Sequence, residues 1–311
     1  MLNQNLITKK SPLYSRKYVY SETPFNTLMK KRIYHVLLIA SKYDAFILED
    51  DGRIDEQIFN EYVSLNLRYP PEFIQANDNV EAIELLETES IDLVICMTST
   101  YEDQLIWEIK KRKPLVPVVL LTPFSREISI QLHSGKIKGV DYVFSWLGNA
   151  DILLAIIKLI EDSMNVEHDV MQVGVQVILL VEDSVRFYSS YLPNIYKIIF
   201  KQSKSFVTEG LNEHQKMLRM RGRPKILLAT TYEKADELFH KYKNNLLGVI
   251  TDMTYQRGGV HDKEAGLHFC RMIKAEDKYM PILLQSSDIG VKQIAKKLRV
   301  GYLNKNSPTL S

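Results

Sequence analysis

Short apolar runs alternate with amphipathic stretches along this chain, and the whole alternation occurs twice. Runs such as 36–40, 92–97 and 177–181 suit strands that are buried on both faces. The stretches between them space their apolar residues at helical intervals. Parallel strands that are joined by helices need right-handed crossovers. The sequence therefore predicts an α/β protein with two flavodoxin-like, doubly wound, five-stranded parallel sheets in tandem.

The two copies define the predicted domains. Residues 1–32 carry scattered aromatic and basic residues, and we predict an N-terminal arm that packs on the first domain. The first domain is predicted over 33–166 and the second over 175–311. The first copy ends in an apolar helical pattern, whereas the second has no room for a fifth helix. We therefore expect the second domain to be C-terminally incomplete, as in a piece of a longer protein, with part of its sheet uncovered.

Composition excludes several classes of function. The 311 residues are 45% hydrophobic and 25% charged, which is typical of a globular protein. A formal net charge of +2 gives no strong attraction to nucleic acid or anionic membranes. Cys96 and Cys270 lie in apolar patterns, as buried thiols of a reducing compartment do. Without a signal peptide or a long apolar run, we expect a cytoplasmic protein with no membrane or nucleic-acid partner.

Polar residues of the second copy occur at the predicted carboxyl ends of its strands. Glu182 and Asp183 follow strand one, Asp252 ends strand three, Ser286 ends strand four and Lys305 ends strand five. Parallel strands present these ends at one edge of the sheet. Neighbouring carboxylates raise each other's pKa unless a cation balances them, and Mg²⁺ prefers oxygen ligands. The pattern predicts a Mg²⁺ site beside which Asp252 can act as a nucleophile toward a phosphoryl group.

Four segments of the second copy carry a family resemblance. They read Leu-Leu-Val-Glu-Asp-Ser, Gly-Val-Ile-Thr-Asp-Met, Pro-Ile-Leu-Leu-Gln-Ser-Ser and Tyr-Leu-Asn-Lys, in this order. This set resembles the receiver domain of two-component response regulators. The resemblance implies a phosphorelay module that is a phosphoacceptor and not itself an enzyme. Its implied metal ligands are Glu182, Asp183 and Asp252.

The resemblance also assigns partners and readout residues. Asp252 would accept phosphate from a histidine kinase or a phosphotransfer protein. Ser286 and Lys305 would sense the phosphorylated state, and Tyr302 matches the switch aromatic of the family. Phosphorylation would then shift a two-state equilibrium and control a downstream output domain or partner protein. The alternative is a non-phosphorylated interaction scaffold that keeps only the fold.

Two insertions depart from the family pattern. One precedes the second strand of the second copy, and we interpret its basic run as a solvated helix end, with a docking surface as the alternative; the run comprises Lys216, Arg219, Arg221, Arg223 and Lys225. The other spans 255–266, contains a Gly-Gly pair, and either gates the site or is a flexible insertion. His261 lies in it, and we do not expect it to bind the metal because oxygen ligands suffice.

The first copy lacks the predicted chemistry. Threading it through the same pattern replaces the acidic pair, the acceptor and the lysine by Ala40 and Ser41, Met97, and Ser145. Only Thr122 and Tyr142 are kept in this alignment. Methionine has no nucleophilic oxygen, so this copy resembles a pseudo-receiver. We expect it to act as a scaffold or a dimerisation surface in a homodimer.

A second resemblance concerns the N-terminal region. Residues 24–32 and 43–71 are similar to the start of long bacterial proteins that continue into a phosphoenolpyruvate synthase or pyruvate phosphate dikinase-like domain. This implies that the chain is the regulatory front end of such a protein. Two other classes are disfavoured. No helix-turn-helix region remains for DNA binding, and the Asp-x-Asp motif of haloacid-dehalogenase-type phosphatases is absent after strand one of the second copy.

Overall fold

The computed structural model describes residues 25–48, 54–65, 67, 69–123, 138–146, 148, 150–205 and 220–305. Over these residues the chain forms two parallel sheets of five strands each and one two-stranded antiparallel hairpin. The predicted α/β class with two parallel five-stranded sheets is confirmed.

The first sheet has the strand order β2-β1-β3-β4-β5, with every neighbouring pair parallel. Its elements are β1 (His35–Ile39), α1 (Lys42–Leu48), α2 (Ile54–Ser64), β2 (Glu72–Ala76), α3 (Asn79–Thr88), β3 (Leu93–Met97), α4 (Asp103–Arg112), β4 (Val118–Thr122), β5 (Tyr142–Ser145) and α5 (Asp151–Val173). The helix predicted near 128–134 lies outside the described residues.

The second sheet has the order β12-β11-β8-β6-β7, again with parallel neighbours. Its elements, with the hairpin β9–β10, are β6 (Val177–Val181), α6 (Val185–Ser205), β7 (Lys225–Ala229), α7 (Tyr232–Tyr242), β8 (Leu246–Asp252), β9 (Tyr255–Arg257), β10 (Val260–Asp262), α8 (Ala265–Glu276), β11 (Ile282–Ser286), α9 (Val291–Leu298) and β12 (Gly301–Asn304). Numbered within each sheet, both follow the doubly wound order 2-1-3-4-5.

The two sheets are joined by α5 and α6. One apolar cluster runs from the strands of the first sheet through these helices to Leu180, Ile226 and Leu228 of the second. Tyr188 on α6 donates a hydrogen bond to the Val143 carbonyl oxygen in β5. The joining face therefore uses the edge strand of the first sheet and a helix that also covers the second.

Several element bounds differ from those predicted. Helix α5 was predicted to end at Ser163, but it continues to Val173 and stops at Gly174, whose φ of 72° forms a left-handed cap. Asp162, Asn165 and Asp169 in its polar second half are buried and paired, so polar residues do not mark its end. Helix α6 continues through Pro193. The short helix α1 was not predicted at all.

The basic run before β7 is not a solvated helix end. Arg223 and Lys225 are buried, with Arg223 bonded to both Asp162 oxygens at 2.7 and 2.9 Å and the Lys225 Nζ 3.0 Å from Asp169 Oδ2. Burial of these cations requires such partners. Both carboxylates belong to α5, so the run joins the second sheet to the connecting helix. Lys216 and Arg219 lie outside the described residues.

The end of the predicted N-terminal arm lies along α5. The backbone N–H groups of Met29, Lys31 and Ile33 donate to side chains of this helix, namely Asp169, Asn165 and Glu161. Alternate residues are bonded, as in a strand, but the acceptors are helix side chains. Residues 1–24 lie outside the described part of the chain.

One face of the second sheet is incompletely covered. Ile178, Ile250, Leu283 and Leu303 share this face by strand register, and all four are only half-buried. That the chain is a piece of a longer protein stays a prediction.

Candidate functional site

Three carboxylates of the second copy meet at the carboxyl edge of its sheet. Glu182 directly follows β6, Asp252 ends β8, and the two strands are neighbours with Val181 paired to Thr251. One ligand oxygen from each of Glu182, Asp183 and Asp252 lies within 4.8 Å of the others. Glu182 and Asp252 are buried. The strand ends thus place the predicted acidic residues together.

Lys305 lies between two of these carboxylates. Its Nζ is 2.6 Å from Glu182 Oε2 and 2.9 Å from Asp252 Oδ1. The same ammonium lies 4.2 Å from the centre of the Phe187 ring, a cation–π contact. Phe187, in the first turn of α6, was not predicted as a site residue. Its signal in the sequence is an aromatic four residues after the acidic pair.

Negative charge is concentrated in the cluster. Burial and the neighbouring Asp252 carboxylate raise the pKa of Glu182 to about 8, although Lys305 opposes the shift. A carboxyl with this pKa keeps its proton over much of the neutral range. The donor set is composed of carboxylate oxygens, so a hard divalent cation such as Mg²⁺ fits its chemistry. The residues present are therefore suited to the predicted metal.

Tyr191 is a site neighbour that sequence reasoning assigned only to the apolar face of α6. Its hydroxyl is buried and has no hydrogen-bond partner within the described residues. Burial raises the pKa of this phenol, and the Glu182 and Asp252 carboxylates raise it further, in that order. An unpaired hydroxyl therefore lies close enough to sense the charge of the cluster.

The predicted readout residues Ser286 and Tyr302 lie in β11 and β12. Ser286 is buried, and its Oγ accepts a hydrogen bond of 3.0 Å from the Asp288 backbone N–H. Its own hydroxyl proton stays available for an acceptor. The Tyr302 hydroxyl donates to the Asp288 carbonyl oxygen at 3.0 Å. Tyr302 therefore contacts the loop that leaves Ser286.

Gly266 fixes the loop after the predicted acceptor. A Cβ at this position would lie 2.0 Å from the Asp252 carbonyl oxygen, so a larger residue requires the backbone to move. The Gly266 N–H also donates to the Met253 carbonyl oxygen. The start of α8 is thereby packed directly against the strand end that carries Asp252.

The insertion over 255–266 forms the hairpin β9–β10. Gly258 and Gly259 make its turn with φ of 62° and 77°, and the Gly258 N–H donates to Glu233 Oε1 at 2.7 Å. His261 Nδ1 lies 3.8 Å from Asp183 Oδ2, with 56% of the His261 side chain exposed. The hairpin is an ordered element beside the acidic cluster, and its role in access stays a prediction.

The corresponding edge of the first sheet has different chemistry. Among the described residues, its buried carboxylate is Asp44, which accepts hydrogen bonds from the hydroxyls of Ser41 and Ser99. Met97 occupies the end of β3 and is fully buried. Among the residues that the structure describes, the cluster around Asp252 is the one group of three or more potential metal ligands.

Strand register corrects part of the threading of the first copy. Leu120 and Thr122 pair with Val143 and Ser145, while Leu284 and Ser286 pair with Tyr302 and Asn304. The counterparts of Tyr302 and Lys305 are therefore Val143 and Trp146. Tyr142 and Ser145 were each placed one residue too early, because β5 begins one residue later than predicted. Of the switch residues, only Thr122 is kept.

Comparison with known proteins gives weak likenesses only. No protein-family model matches the chain, and no curated protein matches it. The signal receiver domain of an HD domain-containing protein from Pseudomonas fluorescens Pf-5 is 22% identical, over 44% of this chain and 97% of its own, with a TM-score of 0.27. GanP, a glucose-galactose binding protein from Geobacillus stearothermophilus, is 12% identical over 87% and 84%, with a TM-score of 0.24.

At these TM-scores neither likeness supports a function, and the fold is defined by strand order and register. The resemblance to phosphoenolpyruvate synthase-like proteins is not tested by these comparisons and stays a prediction. Within the described residues, no helix is both long and apolar enough to cross a lipid bilayer.

Proposed function

We propose that the second copy is a receiver-type signalling module in which Asp252 accepts a phosphoryl group with the help of Mg²⁺. The observation that carries this proposal is the meeting of Glu182, Asp183 and Asp252 oxygens within 4.8 Å beside the Lys305 ammonium. Phosphoryl transfer depends mainly on positioning and on neutralising charge, and both elements are present here.

The two oxygens of Asp252 have different environments. Lys305 contacts Oδ1 at 2.9 Å, whereas Oδ2 has only a 3.4 Å contact from the Thr254 hydroxyl. Oδ2 is therefore the better nucleophile. It attacks the phosphorus of a phosphohistidine on a kinase or phosphotransfer protein, an O–P bond forms, and the N–P bond breaks. The imidazole leaves with the bonding electrons and takes up a proton.

The metal would be held by Glu182, Asp183 and Asp252, and it would supply positive charge to the phosphoryl oxygens. The Lys305 ammonium adds to this neutralisation, and the free hydroxyl proton of Ser286 is able to donate to a phosphoryl oxygen. All of these groups lie at the carboxyl ends of the strands, on one edge of the sheet.

Phosphorylation changes the charge balance at the strand ends. It adds about 1.5–2 negative charges near neutral pH. Ser286 and Lys305 would turn toward the new group, and the loop that Tyr302 now holds through Asp288 would follow Ser286. This links the phosphoryl group to the region around α9, the surface through which we propose that the output is controlled.

The experiment is incubation with acetyl phosphate and Mg²⁺, followed by intact-mass measurement. We expect one phosphoryl adduct, which is lost on chelation of the metal and in Asp252→Ala. Asp236→Ala is the control because Asp236 is a surface aspartate of α7, and it should be labelled like the native chain. Absence of any adduct, or an adduct that persists in Asp252→Ala, contradicts the proposal.

A second candidate function is an interaction scaffold without phosphate chemistry. It is favoured by Lys305, which already bridges Glu182 and Asp252 and partly balances the cluster. A scaffold needs no cation, so calorimetric titration with Mg²⁺ separates the two functions. Saturable Mg²⁺ binding that is lost in Asp183→Asn supports the receiver function, and the absence of binding supports the scaffold.

A further inference from the structure

A small cavity lies where the N-terminal segment meets both halves of the chain. Its volume is about 50 Å³, and it shares no lining residue with the cluster around Asp252. The residues that matter here are Arg32 and Tyr34 of the N-terminal segment, Tyr69 before β2, and Arg221 before β7. Lys158 and Glu161 of α5 line it as well.

The carboxylates around this cavity are already paired. Three buried ion pairs use them, namely Arg223–Asp162, Lys225–Asp169 and Lys158–Glu161. Arg32 and Arg221 have no carboxylate within ion-pair distance in the described part of the chain. Among these residues the positive charges therefore outnumber the negative charges by two. The two extra charges belong to Arg32 and Arg221, which both line the cavity.

The Arg221 guanidinium is incompletely bonded. Its Nη1 donates to the Asn26 carbonyl oxygen at 3.2 Å, but its buried Nε has no acceptor among the described residues. Burial and the neighbouring Arg32 lower the pKa of Arg221. Arg32 has only a weak contact, from its Nε to the Met29 carbonyl oxygen at 3.4 Å. A buried cationic donor without an acceptor is costly, and a bound anion removes that cost.

The backbone around the cavity is strained. Of the described non-glycine residues, only Met29, Tyr69 and Arg299 have positive φ, and the first two line this cavity with φ of 51° and 61°. Such conformations cost free energy and occur often at ligand-binding sites. Strain and unpaired positive charge thus coincide at one place.

We propose that this cavity binds a small anion with a phosphoryl group, between the guanidinium groups of Arg32 and Arg221. Two unbalanced positive charges match a group that carries about 1.5–2 negative charges better than a single carboxylate does. Guanidinium groups bind phosphoryl oxygens in pairs of hydrogen bonds. Tyr34 and Tyr69 stand at the cavity with 47% and 61% of their surface exposed, where their hydroxyls can reach further oxygens. The ligand would bridge the N-terminal segment and the second copy.

The test is titration of the full chain with inorganic phosphate at constant ionic strength, followed by calorimetry and by the thermal unfolding midpoint. A chelator is present, and the Asp252→Ala variant is measured in parallel, so that binding at the proposed phosphoacceptor does not contribute. We expect saturable binding and a rising midpoint in both chains. Arg221→Gln and Arg32→Gln should each weaken binding at least tenfold.

Lys30→Gln is the matched control, because it removes the same charge from an exposed residue of the same segment that does not line the cavity. Its phosphate affinity should equal that of the native chain. If Arg221→Gln does not fold, Arg32→Gln carries the test. The proposal is overturned if the native chain shows no saturable phosphate binding, if both arginine variants bind like Lys30→Gln, or if acetate binds as tightly as phosphate.

Discussion

The two five-stranded sheets have one topology and two different carboxyl edges. In the second sheet the end of β8 is Asp252, beside Glu182 and Lys305. In the first sheet the equivalent end of β3 is Met97, and Trp146 stands at the lysine position. Strand order follows from apolar runs of similar length in both copies. The chemistry depends on a few residues at their ends, so one fold accommodates an edge with three clustered carboxylates and an edge with Met97 and Trp146 at the acceptor and lysine positions.

The edges also differ in how their polar groups are satisfied. In the first sheet, hydroxyls of Ser41 and Ser99 complete the hydrogen bonding of Asp44. In the second, Glu182 is held beside Asp252, and its pKa is raised to about 8 by burial and this repulsion. An arrangement that costs stability without a ligand is typical of a binding site. The contrast supports the proposal that the second edge binds a cation.

The largest effect is expected where the two sheets are joined. Asp162 accepts from Arg223, from the Tyr196 hydroxyl and from the Ile226 N–H, all buried. Asp162→Ala leaves Arg223 as an uncompensated buried charge, which should lower the free energy of unfolding by about 3–5 kcal/mol. Urea unfolding measures it. Glu237→Ala, which removes an exposed partner of Lys234, should cost at most ~1 kcal/mol; equal costs would contradict a structural role for the buried pair.

Changing the residue at the end of β3 and at the end of β8 tests the difference between the two carboxyl edges directly. Met97→Asp buries a carboxylate with no lysine at the position of Trp146, and should lower the free energy of unfolding by about 3 kcal/mol. Asp252→Asn removes repulsion from Glu182 and should raise the metal-free stability by about 1 kcal/mol. Both are measured by urea unfolding in chelator. A destabilising Asp252→Asn would show that the cluster is a structural ion pair.

Much of the fold could be predicted because it depends on local apolar patterns. The strand Lys225–Ala229 and the helix Tyr232–Tyr242 were predicted with the observed bounds. The meeting of Glu182, Asp183 and Asp252 followed from the rule that parallel strands share one carboxyl edge. Residue type and strand order were sufficient for these features, since no long-range packing had to be known.

The rest depends on which distant groups face each other. Arg223 and Lys225 are close together in a basic run, and nothing near them in sequence identifies Asp162 and Asp169 as their partners. The same pairing allows Asp162 and Asp169 of α5 to be buried. The position of Tyr142 was one residue out because a short apolar strand has no local marker of register. The local sequence pattern therefore does not specify long-range ion pairs or strand register.

The pH dependence of the free energy of unfolding distinguishes the second carboxyl edge from the first, because it reports on Glu182. Its pKa is raised from 4.5 to about 8 in the native chain, so the native state binds this proton more tightly than the unfolded state does. The resulting stability is complete below pH 4.5 and is lost as pH rises toward 8. Relative to Glu182→Gln, the metal-free chain should lose stability progressively over this window. Urea unfolding at several pH values measures it, and saturating Mg²⁺ should reduce the loss. If the difference in free energy of unfolding between the native chain and Glu182→Gln does not change with pH, the raised pKa of Glu182 is contradicted.

The smallest expected effects come from two tyrosines of α6, one facing each copy. The Tyr188 hydroxyl donates to the Val143 carbonyl oxygen of the first sheet, whereas the Tyr191 hydroxyl beside the acidic cluster has no partner in the described residues. Tyr188→Phe should lower the free energy of unfolding by about 1 kcal/mol, because a buried carbonyl loses its donor. Tyr191→Phe removes an unsatisfied group and should change stability by less than ~0.5 kcal/mol in either direction. Thermal unfolding of the two variants compares them under one condition. If Tyr191→Phe costs as much as Tyr188→Phe, the Tyr191 hydroxyl has a partner at the cluster, and the cluster contains one more hydrogen-bond donor than Lys305 alone supplies.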